Sequence, residues 1–262
     1  MPRLTVAIQK GGTGKTTTAI GLAAAYAERG NSVLLLDLDP RGGLTEGVGL
    51  ANTYDADYHL GQFLLQDEEA DQIDSHHLVH DRGDFDVVPA NRRMDSLSDQ
   101  LGQDRGWFRR LDEFLQPFDR EYDWIIIDSP PELNRLSDSA IIAAQNTIVP
   151  VEPAEPSLHG LQKMLEDQLI PIRKDLDDSV EVTAIVLNRV LDDNETTRVR
   201  QDLEENFSDE LAPVEIRKRV AIPRAWRNGE TLFEYDSRSD MCEEYRQLAE
   251  FIQQQVEPAA VV

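Results

Sequence analysis

The sequence has little cysteine and no long apolar run. Of 262 residues only Cys242 is a cysteine, and one thiol excludes a disulfide scaffold, a four-cysteine zinc site and a self-contained iron–sulfur cluster. No apolar stretch approaches the roughly 18 residues that a membrane-spanning helix needs. The first residues also lack the pattern of a signal peptide. We therefore expect a cytoplasmic protein with no membrane partner.

Basic residues are scarce compared with acidic ones. The chain has 50 Asp and Glu against 26 Lys and Arg, which gives a formal net charge of −24, and only five of the basic residues are lysines. An acid-rich, lysine-poor chain that keeps 40% hydrophobic residues is what we expect of a halophilic protein. Salt at about 1 M screens charges beyond about 3 Å, which makes self-repulsion tolerable. An acidic protein from an ordinary cytoplasm is the alternative.

Short apolar runs typical of buried strands alternate with amphipathic segments typical of helices. The predicted strands are 4–8, 33–36, 85–88, 124–127, 147–151 and 182–187. The predicted helices are 16–29, 107–116, 134–145, 157–170, 195–207 and 240–256. This alternation predicts an α/β fold with a mostly parallel twisted sheet flanked by helices on both faces. We interpret 52–84 and 92–105 as surface helices and loops, and 1–262 as a single domain with its last helix packed on the core.

A glycine-rich segment, QKGGTGKT at residues 9–16, lies between the first predicted strand and the first predicted helix. A phosphate-binding loop requires this context. Glycines let backbone N–H groups surround an anion, and the helix N-terminus adds partial positive charge. Lys15 is placed to bind the β- and γ-phosphates, and the Thr16 hydroxyl to bind Mg²⁺. Gln9 replaces the first glycine of the G-x-x-x-x-G-K-[ST] pattern, and Lys10 is an extra lysine. The predicted phosphate-binding residues are Lys10, Gly11, Gly12, Thr13, Gly14, Lys15, Thr16 and Thr17.

Two predicted strands end in carboxylates. The second runs into Asp37-Leu38-Asp39-Pro40 and the fourth into Asp128-Ser129-Pro130-Pro131. The carboxyl ends of parallel strands form the functional edge of an open α/β sheet. A carboxylate there can hold Mg²⁺ through water, as a Walker-B aspartate does. We predict a metal site of Thr16, Asp128 and Asp39, with a strand-ending cap as the alternative role of each aspartate.

These motifs resemble those of the ParA/MinD family of deviant Walker A P-loop ATPases, and among them the ParA/Soj-type partition ATPases. Residues 10–16 resemble the family's Walker A loop, 37–40 its first switch and 128–131 its Walker B motif. The similarity continues through Pro153 and Gly160 to Asn188-Arg189 and the C-terminal helix. It implies a P-loop NTPase domain, ATP and Mg²⁺ as cofactors, and a homodimer that forms on ATP binding.

The resemblance also implies roles for individual residues. Lys10 would contact the partner subunit's nucleotide, while Lys15 and Thr16 act within their own subunit. Asp39 would position the attacking water, so that Lys10, Lys15 and Asp39 form the catalytic set. Asn188 would contact the adenine. One departure concerns the switch, where Arg41-Gly42-Gly43 replaces the family's common Gln-Gly-Asn.

Other branches of this family fit the sequence less well. Its cluster-carrying members need paired cysteines at the dimer seam, which the lone Cys242 cannot supply. MinD ends in a basic amphipathic helix that lies on the membrane. Here the helix predicted over 240–256 carries several glutamates and one basic residue, Arg246, whereas a membrane-surface helix needs Lys and Arg on its polar face.

Residues 216–229, IRKRVAIPRAWRNG, contain no acidic residue, and we call this segment the basic island. A local cluster of cations is the expected footprint of phosphate-backbone binding. The resemblance to ParA implies non-specific DNA binding in this region. Docking of a protein partner and pairing with carboxylates at the dimer seam are the alternatives. The predicted DNA-binding residues are Arg217, Lys218, Arg219, Arg224 and Arg227.

We therefore predict an ATP-dependent partitioning ATPase that is nucleoid-associated. Its ATP dimer would bind DNA non-specifically and release it after Mg²⁺-dependent hydrolysis, stimulated by a ParB-like partner, to segregate a plasmid or chromosome. The main alternative is a MinD-like or other positioning ATPase that acts on a protein assembly without binding DNA. A small-molecule synthetase of the same fold is a third. We interpret His76, His77 and His80 as surface histidines and not as metal ligands.

Overall fold

In the computed structural model, which describes residues 1–67 and 74–256, a sheet of eight strands forms the centre of the molecule. The strands are β1 (Arg3–Val6), β2 (Val33–Asp37), β3 (His80–Asp81), β4 (Asp86–Val88), β5 (Trp124–Asp128), β6 (Gln145–Val151), β7 (Glu181–Val190) and β8 (Leu211–Arg217). Their order across the sheet is β3-β4-β2-β5-β1-β6-β7-β8. The β3–β4 pair is antiparallel, and the other neighbouring strands pair in parallel. The predicted fold class is confirmed.

Helices cover both faces of this sheet. They are α1 (Lys15–Glu28), α2 (Gly43–Gly47), α3 (Leu60–Leu65), α4 (Leu97–Leu101), α5 (Arg110–Leu115), α6 (Arg135–Ala144), α7 (Glu155–Met164), α8 (Ile170–Asp175), α9 (Asn194–Asn206), α10 (Ala221–Asn228), α11 (Leu232–Tyr235) and α12 (Asp240–Val256). Single 3₁₀ turns occur at Ala51–Thr53, Ser75–Leu78, Arg92–Ser96, Trp107–Arg109 and Gln116–Arg120, and a π-helical turn joins α7 to α8 at Leu165–Leu169. Within the described ranges, no helix combines the length and the apolar character needed to cross a membrane.

The central strands β1, β2 and β5 are buried along their whole length. Continuous apolar runs are expected where helices cover both faces of a parallel sheet. On one face α1 packs against β5 and α12: the Tyr26 ring stacks on Trp124 of β5 with centroids 4.1 Å apart, and its hydroxyl donates to the Ala249 carbonyl of α12 at 3.0 Å. This packing places α1, and therefore the loop before it, against the sheet.

The structure differs from the sequence-based prediction in several elements. We did not predict the strands β3 and β8 or the helices α2, α10 and α11. The exposed Pro213 lies within β8, and a proline lacks the N–H that a central strand needs, but β8 is an edge strand, where a proline is tolerated. The helix predicted over 157–170 is instead two helices joined by a π turn. Of the segments interpreted as surface helices and loops, 68–73 lies outside the described residues, and the rest contains α3, α4, 3₁₀ turns and β3.

Candidate nucleotide-binding site

The glycine-rich loop joins β1 to α1, which begins at Lys15. Gly14 caps this helix in a left-handed conformation, with φ of 94°, which favours glycine. The Asn188 amide of β7 reaches the loop and donates to the Thr13 carbonyl at 2.8 Å. A Cβ atom on Gly14 would lie 2.1 Å from the Asn188 Nδ2. Both the backbone angle and this close approach therefore require glycine at position 14.

A cavity of about 770 Å³ opens in front of this loop, beyond the carboxyl ends of β1, β2 and β7, where open α/β sheets bind their ligands. The loop, the segment after β2 and the first part of the basic island form its walls. The lining residues are Gly11, Gly12, Gly14, Lys15, Thr16, Thr17, Asp39, Arg41, Gly43, Pro131, Asn188, Arg189, Arg217, Lys218, Arg219, Val220, Ile222, Pro223 and Trp226. The sequence prediction therefore identified most of the loop that lines the cavity.

The predicted metal residues Thr16 and Asp128 are in direct contact. The Thr16 hydroxyl donates to the Asp128 Oδ2 at 2.7 Å, while the Asp128 Oδ1 is buried without a hydrogen-bond partner among the described residues. Burial, and after it the charge of Asp37, raises the pKa of the Asp128 carboxyl. An unpaired buried carboxylate oxygen is costly, and a divalent cation beside it would favour the ionised form. These two side chains therefore fit Mg²⁺.

Asp37 organises the segment that follows β2. It lies directly opposite Asp128 in the β2–β5 pairing and is fully buried. Its Oδ2 accepts from the backbone N–H and the hydroxyl of Thr45, at 2.8 and 2.7 Å. Burial raises the pKa of Asp37 to about 7. Asp37 does not line the cavity, so its contacts position α2, which carries Thr45.

Asp39, the residue predicted to position the attacking water, lines the cavity, and its carboxylate accepts hydrogen bonds from Arg41. Oδ1 accepts from the Arg41 backbone N–H at 3.1 Å and from Nε at 3.0 Å. Oδ2 accepts from Nε at 3.2 Å and from Nη2 at 2.7 Å. Arg41, which departs from the family's common switch sequence, is not among the predicted site residues. Its spacing of two residues from Asp39 is the sequence signal that could have identified it.

The two lysines of the loop point in different directions. Lys15 is buried, its Nζ donates to the Lys10 carbonyl at 3.1 Å, and burial lowers its pKa. The Lys10 ammonium instead donates to the Ser157 hydroxyl at 2.8 Å and to Glu152 at 3.4 Å. The Lys10 side chain does not line the cavity, and sequence reasoning did not identify Glu152 or Ser157 as its partners.

The structure divides the basic island into two parts. Arg217, Lys218 and Arg219 line the mouth of the cavity, whereas Arg224 and Arg227 are exposed residues of α10. Arg217 pairs with Asp192 at 3.3 Å and Arg219 with Asp240 at 2.5 Å. Among the described residues, Lys218, Arg224 and Arg227 have no ion-pair partner. The five predicted DNA-binding residues therefore do not form one uniform cationic surface.

Helix α10 packs against α2, and α2 is the helix that follows Asp39 in the chain. The indole N–H of Trp226 donates to the Gly43 carbonyl at 3.0 Å, and a Cβ on Gly47 would lie 2.1 Å from the indole ring. The Arg82 guanidinium links the ends of the two helices, because it donates to the Val48 carbonyl after α2 at 3.1 Å and to the Gly229 carbonyl after α10 at 3.2 Å. We call these contacts the joint between α10 and α2. The cavity wall after β2 and the exposed arginines of α10 therefore belong to one packed unit.

The three histidines that we interpreted as surface residues, His76, His77 and His80, are not among the residues that line the cavity. The ring of His76 is between two carboxylates, with Nδ1 2.6 Å from Asp74 and Nε2 3.0 Å from Glu121. Within the part of the chain that the structure describes, no group of three or more His, Cys, Asp or Glu side chains is arranged to hold a metal ion.

Comparison with known proteins identifies the family. A family model described as an AAA domain, AAA_31, matches residues 1–182. The sporulation initiation inhibitor protein Soj of Bacillus subtilis is 31% identical over 243 residues, which cover 92% of this chain and 94% of that protein. The chromosome-partitioning ATPase Soj of Thermus thermophilus is 33% identical over 260 residues, which cover 98% and 97%. The chain belongs to the ParA/MinD family of P-loop ATPases. It is therefore an ATPase.

Among solved structures, cobyrinic acid a,c-diamide synthase from Mycobacterium smegmatis with bound ADP and magnesium has a TM-score of 0.82 at 23% identity. The match covers 98% of this chain and 96% of that one. At this identity it shows that the ParA/MinD-type chain shares the fold of the synthase. It does not carry the synthase reaction over to this protein.

Proposed function

We propose that this ATPase is a ParA-type partition protein whose ATP-bound homodimer binds DNA non-specifically and releases it after hydrolysis stimulated by a ParB-like partner. The cargo would be a plasmid or a chromosome, and the protein would work on the nucleoid. The observation that carries this proposal is the joint between α10 and α2. It connects the exposed Arg224 and Arg227 with the wall of the nucleotide cavity.

In this proposal, different residues of the site bind the phosphates, hold the metal ion and orient the water. Lys15 and the loop N–H groups would hold the phosphates, and Thr16 and Asp128 would hold Mg²⁺, which offsets phosphate charge. Asp39 would orient the attacking water. This form of catalysis consists of positioning and charge stabilisation. Lys10 would have to leave Ser157 and Glu152 before it could reach the partner subunit's nucleotide.

Asn188 has a structural role that is compatible with the proposed adenine contact. Its Nδ2 donates to the Thr13 carbonyl, and its Oδ1 accepts from the Arg189 N–H at 2.9 Å. A side-chain amide carries two donor hydrogens. One hydrogen therefore stays available to an acceptor in the cavity, which Asn188 lines.

The proposed DNA surface consists of Lys218, Arg224 and Arg227, the three cations of the basic island without an ion-pair partner among the described residues. Two subunits would then neutralise about six phosphates, which gives a slope of roughly −5 in log affinity against log salt. Binding at molar salt would therefore require cooperative occupancy of DNA, or further contacts from Arg217 and Arg219 after they leave their acidic partners.

The nucleotide roles are tested with two variants. Lys15→Ala should abolish ATP binding in calorimetry, since it removes the buried ammonium at the phosphate loop. Asp39→Ala should bind ATP but accumulate as the dimer in light scattering, because the water is no longer oriented. Unchanged turnover in Asp39→Ala would contradict the role of Asp39.

The DNA role is tested by binding to a DNA duplex of unrelated sequence at high KCl, with ATP, ADP or no nucleotide, in the Asp39→Ala background. We expect the protein to bind DNA with ATP but not with ADP or without nucleotide. The double variant Arg224→Glu/Arg227→Glu should lose this DNA binding. The matched control, Arg92→Glu/Arg93→Glu, changes the net charge equally on another exposed surface and should bind like the parent.

A positioning ATPase that acts on a protein assembly is the second candidate. The net charge of −24 and the acidic partners of Arg217 and Arg219 favour it, because both oppose binding to a polyanion. This alternative predicts an intact ATP dimer that binds DNA in no nucleotide state. That result would replace the DNA proposal and leave the ATPase assignment in place.

A further inference from the structure

We infer that Arg41 is a further nucleotide-contacting residue: its guanidinium, which pairs with Asp39 in the structure, exchanges this partner for the γ-phosphate when ATP binds. This inference rests on the proposed roles of Asp39 and the phosphate loop. It adds Arg41 to the proposed nucleotide contacts, and it adds a step in which Arg41 leaves Asp39 for the γ-phosphate. The exchange would free the water-positioning carboxylate when a γ-phosphate is present.

The first observation is how completely Arg41 occupies Asp39. A carboxylate offers about four lone-pair sites, and three N–H groups of Arg41 donate to the two oxygens of Asp39, with the Nε–H shared between them. Most of the acceptor capacity of Asp39 is therefore used by Arg41. In this arrangement, Arg41 competes with an attacking water for the carboxylate that is proposed to orient it.

The second observation is the position of the guanidinium. Arg41 lines the same cavity as Lys15, Thr16 and Asp39. Its side chain is 58% exposed, whereas that of Asp39 is 14% exposed. Its other carboxylate partner, Glu132, is 3.8 Å away and is itself 59% exposed. Arg41 thus lies on the open side of the cavity, and its second pair, with Glu132, is a surface ion pair of the kind that is individually weak.

A phosphate group can replace Asp39 as the partner of Arg41. The planar guanidinium fork matches both carboxylate and phosphate oxygens in a bidentate geometry. The γ-phosphate of ATP carries more negative charge than one carboxylate, and Lys15 would hold it within the same cavity. ADP, which lacks that group, would leave the Arg41–Asp39 pair intact. The exchange therefore distinguishes ATP from ADP.

The test compares the Mg²⁺ complexes of ADP and of the non-hydrolysable ATP analogue AMPPNP by isothermal calorimetry. Arg41→Gln should weaken AMPPNP binding about tenfold, the lower end expected for a charge-assisted contact, and change ADP binding less than twofold. The fold should tolerate this change because the side chain is largely exposed. Arg93→Gln, which removes an arginine with one exposed partner, Asp57, is the matched control and should affect neither ligand.

Competition for the guanidinium is tested by a double-mutant cycle. Asp39→Asn weakens the hold on Arg41, so it should tighten AMPPNP binding. This gain should be several-fold larger in the protein that retains Arg41 than in the Arg41→Gln variant. Additive effects would overturn the exchange, as would equal effects of Arg41→Gln on both nucleotides. If the unaltered protein bound neither nucleotide, the proposed function would fail, and this inference with it.

Discussion

Replacing Gly14 with alanine tests how closely the phosphate loop and β7 depend on each other. The substitution places a methyl group on a residue whose φ is 94°. It also places that methyl 2.1 Å from the Asn188 Nδ2. Asn188 is buried, so its amide cannot move aside without breaking its hydrogen bond to Thr13.

The expected cost has two parts. The left-handed conformation costs an alanine about 1–2 kcal/mol. Displacing the Asn188 amide leaves buried polar groups of Asn188 and Thr13 unpaired, which costs about 1–3 kcal/mol more. We therefore expect Gly14→Ala to lower the free energy of unfolding by about 2–5 kcal/mol, which a typical domain can survive in the folded state.

Urea denaturation without nucleotide measures this loss, and Gly30→Ala is the matched control. Gly30 has a similar φ of 85°, but nothing lies within 4 Å of its added Cβ, so only the backbone cost of about 1–2 kcal/mol applies. In the Asn188→Ala background, the cost of Gly14→Ala should fall to that of Gly30→Ala. Equal losses at positions 14 and 30 in the unaltered background would refute the reasoning, since the contact with Asn188 would then be irrelevant.

Three further predictions concern other parts of the site and core. Trp226→Phe should lower the free energy of unfolding by about 1 kcal/mol, because the hydrogen bond to the Gly43 carbonyl is lost. It should also reduce the ATP dependence of DNA binding, which the control Trp107→Phe should leave unchanged. Asp128→Asn should abolish Mg²⁺-dependent turnover yet stabilise the nucleotide-free protein near pH 8 in thermal melts, because burial raises the pKa of this carboxyl and disfavours its charge; a destabilised variant would contradict this. Cys242 is buried, and burial raises the pKa of its thiol to about 11, so a thiol reagent at pH 8 should label it only at the rate of unfolding.

Sequence reasoning located the phosphate loop and the acidic strand ends because their signals are local. The buried strands β2 and β5 are continuous apolar runs, and each ends in an aspartate. Since carboxyl ends of parallel strands share one edge, both aspartates are expected at that edge. The structure adds that β2 and β5 are neighbours, with Asp37 opposite Asp128. By contrast, β8 was missed because Pro213 opposes a strand unless the strand lies at an edge, and sequence alone does not show which strands are edges.

The sequence by itself determined the fold class and the chemistry of the phosphate loop, because glycine spacing, apolar continuity and strand-end carboxylates act over a few residues. Only the tertiary structure decided which polar and charged groups meet. It joined Lys10 to Ser157, divided the basic island between the cavity and α10, and left one oxygen of Asp128 without a partner. Each of these outcomes depends on how distant elements pack. A chain with so many charged residues offers many possible ion pairs, and only packing selects among them.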